Sequence, residues 1–353
     1  MTVKKRHKKI IAGTLIFVSA LSLFIRISFA SVTYDFEGGT ISSDFDLTPQ
    51  TPFAIATDQV HAGTYSIKSG NAAVDNSFAQ ITLLGDFASG GTATFWYRYD
   101  TEGSFDFLIF MIDGVVQTGF PKSGSGTTWT QFSTTTLPSG VHSLDWIYVK
   151  DHGTNTGGDA VWIDDIVVPD FTLVSDKGES FESGIPGTWT NDATEVWSST
   201  NAVYRRKLGS NSARSYLTLG GSGVSTLQRT ITTSAGDMFF YFYVSSEAGF
   251  DFLRFYIDGV EKTDVAASGV FDLTRNALHA GWNFRKYTVT AASHTFKWEY
   301  SKDGGGNIGD DAAYIDLAFF PTTPAAPGPI VNSSSFTIGN AKVTIPKGIF
   351  LIK

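Results

Sequence analysis

The sequence predicts an all-β protein built as two antiparallel β-sandwiches in tandem. Three observations carry that prediction. Aromatic residues make up 14% of the chain, with 29 Phe, and 36 Gly accompany many Ser and Thr; this mixture favours short strands and tight turns over helices. Apolar residues recur with period two, and no stretch keeps a helical period. Third, the chain carries an internal duplication long enough to define two domains, and its 353 residues suffice for two full cores.

The chain opens with a basic segment (Lys4, Lys5, Arg6, Lys8, Lys9), an apolar run from Ile10 to Ile25, and the small-x-small site Ser28-Phe29-Ala30. Residues 1–30 therefore read as a secretory signal peptide cleaved after Ala30. A retained membrane anchor is the alternative, because the run approaches spanning length. Removing the segment takes away six Lys/Arg and no acid, so the net charge falls from −8 to −14. An acidic exported chain is a poor fit for nucleic acid, whose phosphates need clustered Lys and Arg; calcium is the better match. There is no cysteine, which excludes disulfides, thiolate metal sites and a Cys nucleophile. These features suit a secreted or cell-surface protein of a bacterium or archaeon.

The duplication rests on three anchors in the same order. Tyr34–Gly39 (YDFEGG) matches Ser180–Gly184 (SFESG), Thr94–Val115 matches Phe239–Val260, and His142–Asp151 (HSLDWIYVKD) matches His294–Asp303 (HTFKWEYSKD). The first module spans 31–169, a connector 170–176, and the second module 177–321. Within FDFLIFMID, Phe105, Phe107, Ile109 and Met111 face one way and Leu108, Phe110 and Ile112 the other, so both faces of this strand are apolar. Asp113-Gly114 and Asp258-Gly259 supply the turns that follow. In HSLDWIYVK, Leu144, Trp146 and Tyr148 alternate with Asp145 and Lys150. Such strands between Gly, Ser, Thr and Asn turns specify two antiparallel sheets face to face.

Residues 322–330 form a Pro-rich, semi-extended linker. The tail, 331–353, reads as a β-hairpin around Gly339-Asn340 or the start of a further domain, and it offers a surface for self-association.

A further shared phrase is Lys150–Ile166 (KDHGTNTGGDAVWIDDI), echoed by Lys302–Ala318 (KDGGGNIGDDAAYIDLA). It ends one strand, crosses a Gly-rich loop and enters the last strand, where Asp164 and Asp316 stand among apolar neighbours. A carboxylate in such a strand must be paired or metal-bound. Glu37 and Glu182, each directly after a Phe, pose the same question at the start of each module. FESGIPGTW (Phe181–Trp189) and AVWIDDIVV (Ala160–Val168) resemble the opening and closing signatures of MAM-like, concanavalin A-like jelly-roll modules, a group that includes bacterial cleaved-adhesin modules and related carbohydrate-binding modules. The resemblance implies jelly-roll sandwiches over most of 32–321. It also implies a structural calcium joining the early Glu to the late Asp: Glu37 with Asp164, and Glu182 with Asp316. Asp165 joins the first set, whereas the second copy has Leu317 at that place. Pro186 and Trp189 have no counterpart in the first module. The alternative for all these acids is turn chemistry and ion pairing, with Asp151 and Asp303 beside Lys150 and Lys302, and with Asp159 and Asp311 opening the last strand.

Surface aromatics supply the candidate ligand contacts: Trp96, Tyr97, Tyr99 with the intervening Arg98, Trp129, and His152 at a loop tip. Enzyme chemistry finds no motif. His142 and His294 precede alternating strands and read as structural, no Gly-x-Ser-x-Gly elbow is present, and the eight Glu form no paired-carboxylate strand. The expectation is a non-catalytic adhesion or ligand-binding protein, with a glycan or surface protein as partner and avidity from two copies. Alternatives are a structural subunit of a surface layer or filament, and the accessory region of a secreted hydrolase.

Overall fold

The computed structural model describes residues 31–48, 51–202, 207–217, 221–269 and 281–322, and the strands Ser335–Ile338 and Ala341–Thr344. The segment read as a signal peptide, 1–30, nearly all of the expected linker at 322–330 and most of 331–353 lie outside the described residues. No α-helix occurs among the described residues.

The first copy runs through β1 (Val32–Tyr34), β2 (Phe45–Leu47), β3 (Ala54–Ala56), β4 (Ser66–Lys68), β5 (Phe78–Phe87), β6 (Thr94–Asp100), β7 (Phe107–Ile112), β8 (Val115–Val116), β9 (Ser125–Ser133), β10 (Gly140–Val149), β11 (Ala160–Val168) and β12 (Thr172–Leu173). Sheet I has the order β3-β4-β11-β6-β9 with β1 against β11, and sheet II the order β12-β5-β10-β7-β8 with β2 against β5. The second copy follows with β13 (Thr190–Asn191), β14 (Ser198–Thr200), β15 (Ser212–Arg214), β16 (Gly223–Thr232), β17 (Gly236–Ser245), β18 (Phe252–Ile257), β19 (Val260–Glu261), β20 (Asn283–Val289), β21 (Ser293–Lys302) and β22 (Ala312–Phe319). Its sheets are III, β13-β16-β21-β18-β19, and IV, β14-β15-β22-β17-β20. The tail contributes β23 (Ser335–Ile338) paired with β24 (Ala341–Thr344).

Period-two alternation builds each sandwich. Leu144, Trp146 and Tyr148 of β10 meet Phe95 and Tyr97 of β6 and Val161 and Ile163 of β11 between sheets I and II. Phe296, Trp298 and Tyr300 of β21 meet Phe240 and Phe242 of β17 between sheets III and IV. Each large side chain so enclosed contributes roughly 1.5–3 kcal/mol. Trp189 packs on Trp298, 5.5 Å between rings. In the first copy, which lacks that Trp, Phe45 leans on Trp146 instead, at 6.3 Å. Asp113 and Gly114 both take positive φ (51° and 71°), as do Asp258 and Gly259 (52° and 79°), so each hairpin closes through a primed turn. The repeated histidines brace those turns: His142 Nδ1 lies 2.6 Å from Asp113 and His294 Nδ1 2.6 Å from Asp258.

Two features depart from the sequence reading. The connector 170–176 adds β12 to the edge of sheet II, and Phe171 packs on Phe87 at 5.4 Å. More consequentially, the two sandwiches share a third core. Phe78, Leu84, Ile109, Met111, Ile147 and Val149 on the outer face of sheet II are buried against Phe239, Tyr241, Tyr243, Phe284, Tyr314 and Leu317 on the outer face of sheet IV. The layers therefore stack in the order I, II, IV, III.

A polar network crosses this third core. Asp145, fully buried, accepts from Gln80 Nε2 (2.8 Å), Thr82 Oγ1 (2.5 Å) and Ser143 Oγ (2.6 Å). Gln80 exchanges hydrogen bonds with the Trp282 backbone, donating to its carbonyl (3.1 Å) and accepting from its N–H (3.0 Å). Lys207, also fully buried, donates to Thr82 Oγ1 (2.7 Å) and lies 4.9 Å over the Tyr241 ring. Buried polar groups must find partners, and here the partners lie in both copies.

Candidate functional site

The repeated phrase is explained residue by residue. Lys150 makes a buried ion pair with Asp159 and also reaches Asn155; Lys302 does the same with Asp311 and Asn307. Lys150 thus turns away from its neighbour Asp151, contrary to the simplest pairing along the chain. Asp164 and Asp316 sit at a bulge in the last strand, where the following residue, Asp165 or Leu317, takes positive φ (47° and 51°).

The first and last strands do come together, Val32 opposite Val168 in the first copy, and the early Glu and late Asp do meet one loop. Glu37 accepts from the N–H groups of Thr64 (2.8 Å) and Tyr65 (2.9 Å), while Asp164 accepts from His61 (3.0 Å), Ala62 (3.4 Å) and Asp165 (2.8 Å). Glu182 and Asp316 hold residues 207–211 in the same way. Phe36 and Phe181, both at φ 56°, turn their rings inward while the next side chain reaches the loop. Gly63 has φ +75°, and a Cβ there would lie 2.3 Å from the Glu37 carboxylate, so the loop needs glycine. Amide hydrogens converging on these oxygens are the opposite of what a cation requires. Glu37, Asp164, Glu182 and Asp316 therefore fit a carboxylate-braced loop and do not fit a calcium ion in this arrangement; Asp165, the fifth expected ligand, faces the His61 ring nitrogen at 2.7 Å.

Burial, ahead of its amide partners, pushes the Asp316 carboxyl well above the usual carboxylate range. Its native pKa is raised over that of the unfolded chain, so the native state holds the proton more tightly and stability falls as pH rises through that interval. Asp316→Asn is expected to flatten the dependence of the urea midpoint on pH from about pH 4 upward; an unchanged slope would assign it to other groups.

A second arrangement lies on the outer face of sheet I. Trp96 and Arg98 project outward from β6, Trp162 from β11, Lys68 from β4 and Trp129 from β9, and the β3–β4 loop lays His61 across them. The His61 ring stacks on Trp96 (3.8 Å, 15°) and meets Trp129 edge-on (5.9 Å), with Nδ1 2.7 Å from Asp165. Beside this stack, Trp162 lies under Lys68 (4.9 Å) and Arg98 (5.7 Å) and donates Nε1–H to Asp58 (3.0 Å), which also binds Lys68 (2.8 Å). Trp96, Arg98, Trp129, His61 and Lys68 all reach solvent.

Of the sequence-predicted contacts, Trp96 and Trp129 belong to this face. Tyr97 does not: at 5% exposure it is part of the inner core, and Tyr99 packs on that core too, because period two sends alternate residues of β6 inward. His152 is exposed on the loop after β10, a strand of sheet II. His61, Lys68 and Trp162 were missed. Trp162 was legible from its phase, one residue before the inward Ile163, whereas His61 stands in a loop with no pattern to mark it.

The two copies treat this face differently. Trp96, Arg98, Trp162 and Asp165 correspond to Tyr241, Tyr243, Tyr314 and Leu317, and His61, whose N–H binds Asp164, corresponds to Lys207, whose N–H binds Asp316. In the second copy those residues are covered by the first sandwich. In the first copy the face is open. A separate hollow of about 200 Å³ lies between the connector and the end of β22, among Glu179, Trp189, Arg229 and Phe320; Trp189 there is largely enclosed in the core.

No protein-family model matches the chain, and no curated protein matches it. Similar solved structures include the CBM22-1–CBM22-2 tandem domain of Paenibacillus barcinonensis Xyn10C (12% identity, TM-score 0.30, covering 84% of this chain and 98% of that one). The tandem CBM51 modules of Streptococcus pneumoniae SP3-BS71 Sp3GH98 align at 11% identity and TM-score 0.29, covering 83% and 100%. The K3 cleaved adhesin domain of Porphyromonas gingivalis w83 Lys-gingipain aligns at 16% and 0.28, covering 40% and 100%. At these scores nothing about ligand or module arrangement transfers to this chain.

Proposed function

We propose that this is an exported, non-catalytic binding protein that holds a glycan on the open face of sheet I in its first sandwich. The observation that carries this reading is the ring stack of His61, Trp96 and Trp129 bordered by Arg98, Lys68 and Asp58. A sugar ring presents one apolar C–H face and a rim of hydroxyls, which suits aromatic surfaces beside a few fixed donors and acceptors. The net charge of −8 disfavours a polyanion as ligand. The duplication does not double the site, because the equivalent face of the second copy is closed by the first. Avidity from two like sites on one chain therefore drops out of the reading.

The test is titration of soluble polysaccharides of plant, algal and bacterial types against the full chain. Trp129→Ala and Trp96→Ala are each expected to weaken saturable binding about tenfold or more, equivalent to about 1.4 kcal/mol, while Tyr256→Ala on sheet III leaves it unchanged. Absence of saturable binding to any polysaccharide, or wild-type affinity in both Trp variants, would overturn the assignment.

A further inference from the structure

At the opposite end of the repeated phrase, Glu102, Asp106 and Asp151 converge. One oxygen from each lies within 4.8 Å of the others. Asp106 is 1% exposed and is held by the Asp151 N–H (3.1 Å) and Tyr148 OH (3.3 Å). Glu102 Oε2 and Asp151 Oδ1 have no access to solvent and no hydrogen-bond partner. Acceptors enclosed in this way without a donor are costly, and three carboxylates at this spacing repel one another. The nearby Lys150 donates its hydrogen bonds to Asp159 and Asn155 and none to these three carboxylates.

The second copy carries the same residue types at Glu247, Asp251 and Asp303 without closing them to that spacing, and there Asp303 Oδ1 accepts from the Gly305 N–H. Asp251 is fully buried, the Asp303 N–H approaches it at 3.3 Å, and Glu247 Oε2 is again enclosed without a partner. The Gly-rich loop leaves the room. A Cβ on Gly153 would fall 2.6 Å from Asp151 Oδ1 and 2.9 Å from Glu102 Oε2, and one on Gly305 would fall 2.9 Å from Asp303 Oδ1 and 3.3 Å from Glu247 Oε2. The two copies have exchanged the character of their outer faces yet keep the same three carboxylates, the same lysine turned aside and the same glycine. Packing against a neighbouring sheet accounts for none of these.

We propose that Glu102, Asp106 and Asp151 bind a hard divalent cation, calcium. Carboxylate oxygens unpaired and enclosed are the donor set such an ion takes, with loop carbonyls and water completing its shell. The ion ties the loop after β6 to the loop after β10 and so fixes the exposed tip that carries Phe105 (42% exposed). The site is distinct from the Glu37 and Asp164 pair, whose oxygens face amides.

Calorimetric titration of calcium into the chelator-treated full chain tests this. One equivalent is expected. Glu102→Gln with Asp151→Asn should remove it, whereas Glu247→Gln with Asp303→Asn, and Asp164→Asn with Asp316→Asn, should each leave it. Misfolding is excluded by the metal-free melting temperature, which relief of repulsion should raise in the Glu102/Asp151 variant while calcium no longer raises it further. Failure of the wild type to bind calcium at millimolar concentration would overturn the proposal. So would full stoichiometry in the Glu102/Asp151 variant, or loss confined to the Asp164/Asp316 variant.

Discussion

Ile109→Arg is expected to pull the two sandwiches apart. Ile109 is fully buried in the core between sheets II and IV, and its counterpart in the second copy is Arg254, half-buried on sheet III, where it donates to Ser301 Oγ at 2.8 Å. The carboxylate on the neighbouring strand, Asp145, is already engaged by Gln80, Thr82 and Ser143. An unpaired guanidinium there should cost about 3–5 kcal/mol, and the cheapest escape is separation of the sheets with both inner cores intact. Calorimetry should show one cooperative transition becoming two, and small-angle scattering should show a larger radius of gyration. The bared face of Phe239, Tyr241, Tyr243 and Phe284 should promote association at micromolar concentration. The reciprocal change, Arg254→Ile, falls on an open face and should alter stability by no more than about 0.5 kcal/mol. A single unshifted transition in Ile109→Arg would show that the sandwiches do not depend on one another.

Lys207→Met should have an effect of similar size by a different route. Burial pushes the Asp145 carboxyl up and the Lys207 ammonium down, and each charge opposes the other's shift. Removing the cation leaves a fully enclosed carboxylate supported only by neutral donors, at about 3–5 kcal/mol. Because the native pKa of Asp145 is then raised further over the unfolded value, the native state binds the extra proton, and the lost stability should return as pH falls. Asp145→Asn in the same background should recover most of the loss at neutral pH. Urea melts of the single and double variants at two pH values give the coupling energy; additive losses would mean that the two charges act independently.

What was legible in the chain, and what was not, divides by range. Trp146 and Trp298 read as core because a strand with one inner face repeats every second residue. Asp113-Gly114 read as a turn because those residues tolerate positive φ. The calcium ligands expected at Glu37 and Asp164 met amides because the loop that braces them, residues 60–65, has no periodic pattern to place its N–H groups. The enclosed carboxylates of Glu102, Asp106 and Asp151 come from two different loops, and their spacing along the chain resembles no compact binding motif. Asp145 read as the polar side of an alternating strand, and it is polar, but it is sealed between two copies.

The sequence by itself determined two all-β copies, the phase of their strands and their hairpin turns, since each follows from neighbours a few residues apart. Only the tertiary structure decided which outer faces are closed. The signal was present in the difference between copies: Ile109 against Arg254, Ile147 against Glu299, Arg98 against Tyr243 and Asp165 against Leu317. Each pair occupies the same place in its own sandwich, so no local rule separates its members. What separates them is whether another sheet or water lies beyond, and that is settled by contacts more than a hundred residues away along the chain, such as Gln80 with Trp282 (202 apart) and Lys207 with Thr82 (125 apart).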